Sequence, residues 1–306
     1  MANTLTVLGS INADHVISVP HFARPGETLS GRDYHIAYGG KGANQAVAAA
    51  RSGAKVNFIG CIGSDELGRA MKNAFAQDGI NTHPILEIAD TMTGIAMIQV
   101  ADSGENSIVI AAGANARLDE TTVNTFAQEI ISADYLLMQL EIPLSAVQKA
   151  AELAAANHTK VILNPAPAQP LPDALLSRVN IITPNETEAE ILTGIRVIDE
   201  QSAVESARVL HAKGIEIVLI TLGAKGVYLS QRGEGEMIAG FQVNATDTTA
   251  AGDTFNGAFV TALLEDKPIN EAIRFAHAAA AISVTRQGAQ PSIPYRDETL
   301  AFLARQ

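Results

Sequence analysis

A series of short apolar runs, each closed by glycine or polar residues and most of them followed by a helical pattern, constrains this chain more than any other feature. The runs lie at 5–9, 55–60, 134–140, 160–164, 179–182 and 216–221. The 134–140 run is almost continuously apolar, as a parallel strand covered on both faces must be. Residues 45–53, 65–76, 118–131, 254–265 and 269–285 carry helical patterns between or after the runs. Strands alternating with helices predict an α/β fold: three layers, α/β/α, around a mostly parallel sheet. A length of 306 residues, 47% hydrophobic and 18% charged, supplies a large core for one or two domains.

Two stretches break the alternation. In 15–38, Val16, Ile17 and Val19 alternate loosely, Pro20 and Pro25-Gly26 interrupt, and 28–38 is again strand-like. In 92–111, the runs 93–100 and 107–110 flank Asp102-Ser-Gly-Glu-Asn106, a hairpin signal. Both read as β excursions outside the main sheet. They leave 1–14, 39–91 and 112–306 as the α/β domain.

Charge and cysteine content narrow the partners. Asp and Glu number 33 against 21 Lys and Arg, a net charge of −12. That argues against nucleic acid or an anionic membrane as the main partner. A bound nucleotide would need Mg²⁺ and a local cluster of donors. Cys61 is the only cysteine, so no intrachain disulfide forms, which fits a reducing cytoplasm. The first residues lack the basic-then-apolar order of a signal peptide. The most apolar run, 275–284, is too short to span a bilayer.

The chemistry concentrates in Asp247-Thr-Thr-Ala-Ala-Gly-Asp253, directly before a helical pattern. A tight loop of small residues feeding a helix N-terminus leaves backbone N–H groups for an anion. Asp253 is either the N-cap of that helix or a general base beside a transferred phosphoryl group. In the second case Ala250, Ala251 and Gly252 form the anion hole. Elsewhere, Asn12 and Asp14 follow the first strand and point the same way in an extended segment; they are an Asx-type turn or hydroxyl ligands. Gly39-Gly-Lys-Gly-Ala-Asn44 enters an Ala-rich helix. Its glycines serve tight packing or close ligand approach, with Lys41 and Asn44 as donors. It is not a Walker loop, since Gly42 stands where Ser or Thr is required. Glu141 follows the 134–140 run, as a partner for a helix start or an acceptor for hydroxyls. Thr183-Pro-Asn185-Glu-Thr-Glu188 crowds acids at a helix start, for the dipole or for water-mediated Mg²⁺. Thr221, Gly223 and Gly226 close the strand 216–221, where a nucleotide can lie on backbone. His277 lies among alanines and reads as a core histidine.

The string 247–253 resembles the C-terminal signature of the ribokinase-like carbohydrate kinases, the phosphofructokinase-B family, with Ala250 where the usual string has Gly. Gly39–Asn44 resembles the family's N-terminal signature, and Asn185 with Glu188 its Asn-x-x-Glu motif. The resemblance spans nearly the whole chain. It implies that the two β excursions form a small lid sheet over the active site, through which relatives pair as homodimers. It implies ATP-dependent phosphorylation of a sugar, D-ribose at O5, with Asp253 as base. A related acceptor (2-deoxyribose, another sugar, a nucleoside) and a non-catalytic sugar sensor are the alternatives. By motif position, Asn12, Asp14, Gly40, Lys41, Asn44, Glu141 and Asp253 would hold the sugar. Asn185, Glu188, Thr221, Gly223, Gly226, Gly252 and His277 would hold nucleotide with Mg²⁺. Asp247, Thr249, Ser283, Arg286, Gly288 and Ser292 would surround a K⁺ ion.

Overall fold

A computed structural model describes residues 4–306; residues 1–3, which open the expected α/β domain and its N-terminal reading, lie outside the described residues. The strands in chain order are β1 Thr4–Leu8, β2 Asn12–Val19, β3 Arg32–Gly39, β4 Lys55–Gly63, β5 Ile85–Ile88, β6 Gly94–Ala101, β7 Asn106–Ala111, β8 Tyr135–Met138, β9 Lys160–Leu163, β10 Ile181–Ile182, β11 Ile217–Thr221, β12 Val227–Gln231 and β13 Glu234–Ile238. Nine of them form one sheet in the order β13-β12-β11-β10-β9-β8-β1-β4-β5. Every pairing from β11 to β5 is parallel; the two pairings at the other edge, β11–β12 and β12–β13, are antiparallel. The α/β expectation holds.

Period-two alternation sends the strands' side chains into two separate cores. Leu5, Val7, Leu137, Ile162, Ile181 and Leu219 enter one, beneath helices Lys41–Ser52, Ala251–Leu264 and Ile269–Ser283. Leu8, Leu136, Met138, Val161, Leu163, Ile182, Val218 and Ile220 enter the other, under helices Leu144–Ala156 and Glu200–Ala212. Cys61 lies fully buried in this second core, and burial pushes its thiol up to about 12.

The two excursions form a second sheet, in the order β3-β2-β6-β7. Its base is the triple Gly39, Asn12 and Gly94, paired across three strands. β7 is exposed along its whole length. Two clasps tie this sheet to the body. Asp65 caps helix Glu66–Gln77 through Gly68 N at 2.7 Å and accepts from Thr93 N at 2.6 Å, just before β6. Asn115, just after β7, accepts from Ile11 N at 2.9 Å and donates to Ile11 O at 3.0 Å.

Three local expectations shift. The strand read at 28–38 occupies only Arg32–Gly39. The helix read over 118–131 is two short helices, Glu120–Thr125 and Ala127–Ile131, broken at Phe126. Asp65 stands at the N-cap rather than inside the first turn.

Candidate active site

The C-terminal ends of the parallel strands all deliver polar residues to one rim. β1 leads to Ser10, Asn12 and Asp14; β8 to Gln139 and Glu141; β9 to Asn164; β10 to Thr183 and Asn185; β11 ends on Thr221. That rim is where open α/β sheets bind ligands. The helices Lys41–Ser52 and Ala251–Leu264 cross the same rim. They approach closely because Gly257 has no side chain: a Cβ there would stand 2.6 Å from Ala48 Cβ and 2.6 Å from Gln45 O. This crossing brings Asn44 and Gln45 to Asp253.

Asp253 is buried in the first turn of helix Ala251–Leu264, three residues past the N-cap Ala250. It does not cap the helix, so the N-cap alternative falls. Its Oδ2 accepts from Asn44 Nδ2 at 3.0 Å and its Oδ1 from Gln45 Nε2 at 2.9 Å. Ala250 carries φ of 58°, the left-handed region. That explains why glycine suits this position, since a Cβ costs about 1–2 kcal/mol there.

Around Asp253 the structure gathers Asp14, Lys41, Glu141 and Glu188. Burial, and then the carboxylates of Glu141 and Asp253, push the Asp14 carboxyl up to about 7. Burial acts to lower the Lys41 ammonium, but Asp253, Glu141 and Glu188 outweigh it and hold it above the usual lysine range. Lys41 is therefore a charged counter-ion to three carboxylates. Glu141 Oε2 accepts from Ser10 Oγ at 2.6 Å and from Lys41 N at 3.1 Å. It thus serves a helix start, but that of Lys41–Ser52, far away in sequence, whose N-cap Gly40 has no side chain to offer. Gly40 sits at φ of 91° with its Cα against Asn12; a Cβ would stand 2.7 Å from Asn12 N. Asn12 Oδ1 accepts from Asn115 Nδ2 at 2.8 Å. Asn44 Oδ1 is buried with no donor among the described residues. A buried acceptor without a donor is costly, and a hydroxyl-bearing ligand on this side relieves it.

On the other side of Gly252 lies a cavity of about 270 Å³. Thr221, Gly223, Gly226, Gly252 and His277 all line it, with Gly240, Phe241, Val243, Ala245 and Phe255. His277 is half-buried against the Phe255 ring, centroids 5.3 Å apart. Burial pulls its imidazole down to about 4, although Ala239 opposes this through a backbone hydrogen bond. It is therefore a neutral wall of the cavity and not a sealed core residue.

Asn185 and Glu188 interlock as a capping box. Glu188 N donates to Asn185 Oδ1 at 2.8 Å and Asn185 N donates to Glu188 Oε2 at 2.9 Å. The box occupies one oxygen of each residue. Burial holds the Glu188 carboxyl above its ordinary range despite Asn185 N and Lys41. Among the described residues, no three His, Cys, Asp or Glu side chains converge to hold a metal ion directly. This donor set fits a divalent ion met through water, not one ligated by side chains. At the loop before Ala250, Asp247 Oδ1 accepts from Thr249 N at 2.9 Å and Oγ1 at 2.6 Å, and Oδ2 accepts from Gly288 N at 2.8 Å. These bonds outweigh burial and keep Asp247 below the usual carboxylate range, so it is an anion. Ser283 sits one residue before Val284, whose carbonyl accepts from Thr246 N at 2.7 Å and Asp247 N at 3.1 Å. The Arg286 guanidinium turns away to Glu298 at 2.5 Å, which leaves its backbone at the turn. Ser292 bonds locally to Ala289 O at 2.7 Å. An anionic carboxylate beside irregular backbone suits a monovalent cation.

Sequence reasoning passed over Ser10, Gln45, Asn115, Gln139, Asn164 and the cavity wall at 240–245. Ser10 and Gln45 adjoin or lie within the quoted motifs, and their neighbours were the available signal. Nothing in the local sequence marks the others.

The chain matches the pfkB family carbohydrate kinases over residues 2–296, and it belongs to that family. It is 67% identical over 303 residues to the ribokinase of Haemophilus influenzae, covering 99% of each chain. It is 34% identical over 301 residues to the deoxyribokinase of Salmonella typhi, covering 98% of each. Its fold is similar to that of Arabidopsis thaliana ribokinase solved with ribose and ATP, with a TM-score of 0.94, 34% identity and 99% of both chains covered.

Proposed function

We propose that this protein phosphorylates D-ribose at O5, using ATP. The observation that carries the reading is the position of Asp253. Its carboxylate stands at a helix N-terminus, between a hydroxyl-seeking cluster on one side and a small-residue cavity on the other. In this reading Asn12, Asp14, Gly40, Lys41, Asn44 and Glu141 hold the sugar, and Asp253 accepts the hydroxyl proton. The amides of Ala250 and Gly252 would stabilise the charge on the transferred phosphoryl group; the expected third donor, Ala251 N, instead donates to Thr248 O at 3.2 Å. Thr221, Gly223, Gly226, Gly252 and His277 form the nucleotide wall. The 67% identity to a ribokinase, against 34% to a deoxyribokinase, favours ribose over 2-deoxyribose.

Asn185 and Glu188 would orient the water shell of Mg²⁺, which when bound neutralises the phosphates. Asp247, Thr249 and Gly288, with the backbone of Ser283 and Arg286 and with Ser292, would hold K⁺ next to the anion hole, which orders that loop when filled. The division into an α/β domain and a β lid follows the two sheets. The lid exposes Tyr34, Ile36, Met97, Ile108, Val109 and Ile110, an apolar set that a second copy of this chain would cover. The compartment proposed is the cytoplasm, consistent with a single buried thiol. Among the described residues no helix is long and apolar enough to cross a membrane.

The test is ADP release from Mg-ATP with ribose, 2-deoxyribose, fructose or adenosine, each with and without K⁺. Ribose-dependent release, raised by K⁺, is expected. Release with another acceptor alone would overturn the sugar assignment, and sugar binding without release would favour a sensor. Sedimentation at working concentration is expected to give a dimer; a monomer would remove the lid interface.

A further inference from the structure

Beneath Asp253 lies a run of buried side-chain amides to which the proposed reaction gives no task. Gln45 is fully buried on helix Lys41–Ser52. Besides its bond to Asp253 Oδ1, its Nε2 donates to Asn164 Oδ1 at 3.0 Å, and its Oε1 accepts from Gln139 Nε2 at 2.6 Å. Asn164 Nδ2 donates to Thr183 O at 3.1 Å. Thr183 Oγ1 donates to Asn256 Oδ1 at 2.7 Å, and Asn256 Nδ2 to Gly252 O at 2.8 Å. The run begins on Asp253 and returns to the residue before it.

The direction of the Gln45 amide matters. Only its NH₂ can donate to a carboxylate. A flipped amide would set oxygen against oxygen at Asp253 and leave Gln139 Nε2 facing a donor. The Asp253 carboxylate and Asn164, whose own amide is fixed by Thr183 O, therefore exclude the flip, and Gln139 Nε2 takes the Oε1 left facing it. The arrangement leaves Gln139 Oε1 buried without a donor among the described residues, a cost the fold accepts to hold Gln45 this way.

The two oxygens of Asp253 are held unequally. Oδ2 is bonded by Asn44, whose own Oδ1 is orphaned and, in the proposed reading, takes a sugar hydroxyl. Oδ1 is bonded by Gln45, whose amide is engaged on both sides by the core. Ligand entry can rearrange the first bond and not the second. Resting on the assignment of Asp253 as the base, we infer that Gln45, oriented by Gln139 and Asn164, is a positioning residue that pins Oδ1 and leaves Oδ2 as the atom receiving the acceptor proton. In that step the sugar oxygen bonds to the γ-phosphorus of ATP. The bond from that phosphorus to its bridging oxygen breaks, ADP leaves with the electron pair, and the hydroxyl proton passes to Oδ2.

The experiment uses Gln45→Met, which keeps length and loses the donor, in the full chain and in an Asp253→Asn background. With Asp253 present, kcat is expected to fall about 10–100-fold, the worth of a hydrogen bond to a charged group. The dissociation constants of ribose and nucleotide, by calorimetry, are expected to stay within about twofold, because a positioning contact acts on the step and not on binding. In the Asp253→Asn background the same substitution is expected to leave the residual rate unchanged, because coupled residues are not additive. An equal fall in both backgrounds, or a joint loss of sugar affinity, would mean a structural role only and overturn the inference. If Gln45→Met does not fold by circular dichroism, Gln139→Met carries the test: it touches neither Asp253 nor the pocket. A lowered kcat at unchanged affinities supports the inference, and an unchanged kcat overturns it. Full turnover by Asp253→Asn alone would instead remove the base assignment beneath it.

Discussion

The two sides of Gly252 are built in opposite ways. The acceptor side is built from clustered titratable groups, Asp14, Glu188 and Asp253 buried, Lys41 and Glu141 half-buried. The cavity side is built from glycines, alanines, two aromatic rings and a neutral histidine. On the first side selectivity would lie in charged side chains packed against one another. On the second it lies in backbone shape. Damage to the first side should therefore alter chemistry, charge and pH dependence. Damage to the second should alter nucleotide affinity alone.

The largest effect tests that contrast at its centre. Asp253→Asn is expected to lower kcat about 10²–10⁴-fold, with ribose affinity by calorimetry little changed. A fall of less than tenfold would take the base out of the acceptor side. Next is Gly226→Val on the cavity side. Gly226 has φ of 103°, and a Cβ there would stand 2.6 Å from Gly240 N. The loop must shift, at about 1–3 kcal/mol. The KM for ATP is expected to rise at least about tenfold while the ribose dissociation constant holds; a parallel loss of ribose affinity would break the separation of the two sides.

Asp14 sharpens the contrast through pH. Its carboxyl ordinarily titrates at 3.8 and is raised to about 7 in the fold. A raised carboxylate destabilises the fold once it must ionise there. The penalty is absent below about 4, grows from there to about 7, and is constant above. Asp14→Asn removes it, so the variant is expected to melt several degrees higher than the parent at pH 8 and equally at pH 4, while binding ribose more weakly. Equal melting at both pH values would show that the acidic cluster is not strained. The smallest effect falls to His277→Asn. With its imidazole at about 4, the kcat profile between pH 6 and 8 is expected to keep its shape. A limb that vanishes with this substitution would give the cavity side a titrating group.

The same contrast explains what could be read in advance. Asp253, Asn44 and Lys41 were legible because acids, amides and glycines stand in an order that few other folds require. The parallel strands were legible because burial on both faces leaves them few polar positions. The wall at 240–245 left no mark, since carbonyls and small residues carry no chemical signature. Gln45 and Asn164 were invisible for another reason. Their bond spans 119 residues, and an amide is an ordinary surface residue until the fold seals it. The break at Phe126 left no mark in the sequence either: helices Glu120–Thr125 and Ala127–Ile131 both pack on Leu144–Ala156.

The lone thiol has a practical consequence. Cys61 is sealed in a core and its proton is held far above neutral pH, so the chain is in effect blank to thiol reagents. A cysteine placed at Ser103, exposed in the turn between β6 and β7 and outside the lid's apolar set, would be the sole reactive one. A dye or spin label attached there would report the lid against a silent background, with no native residue to remove first.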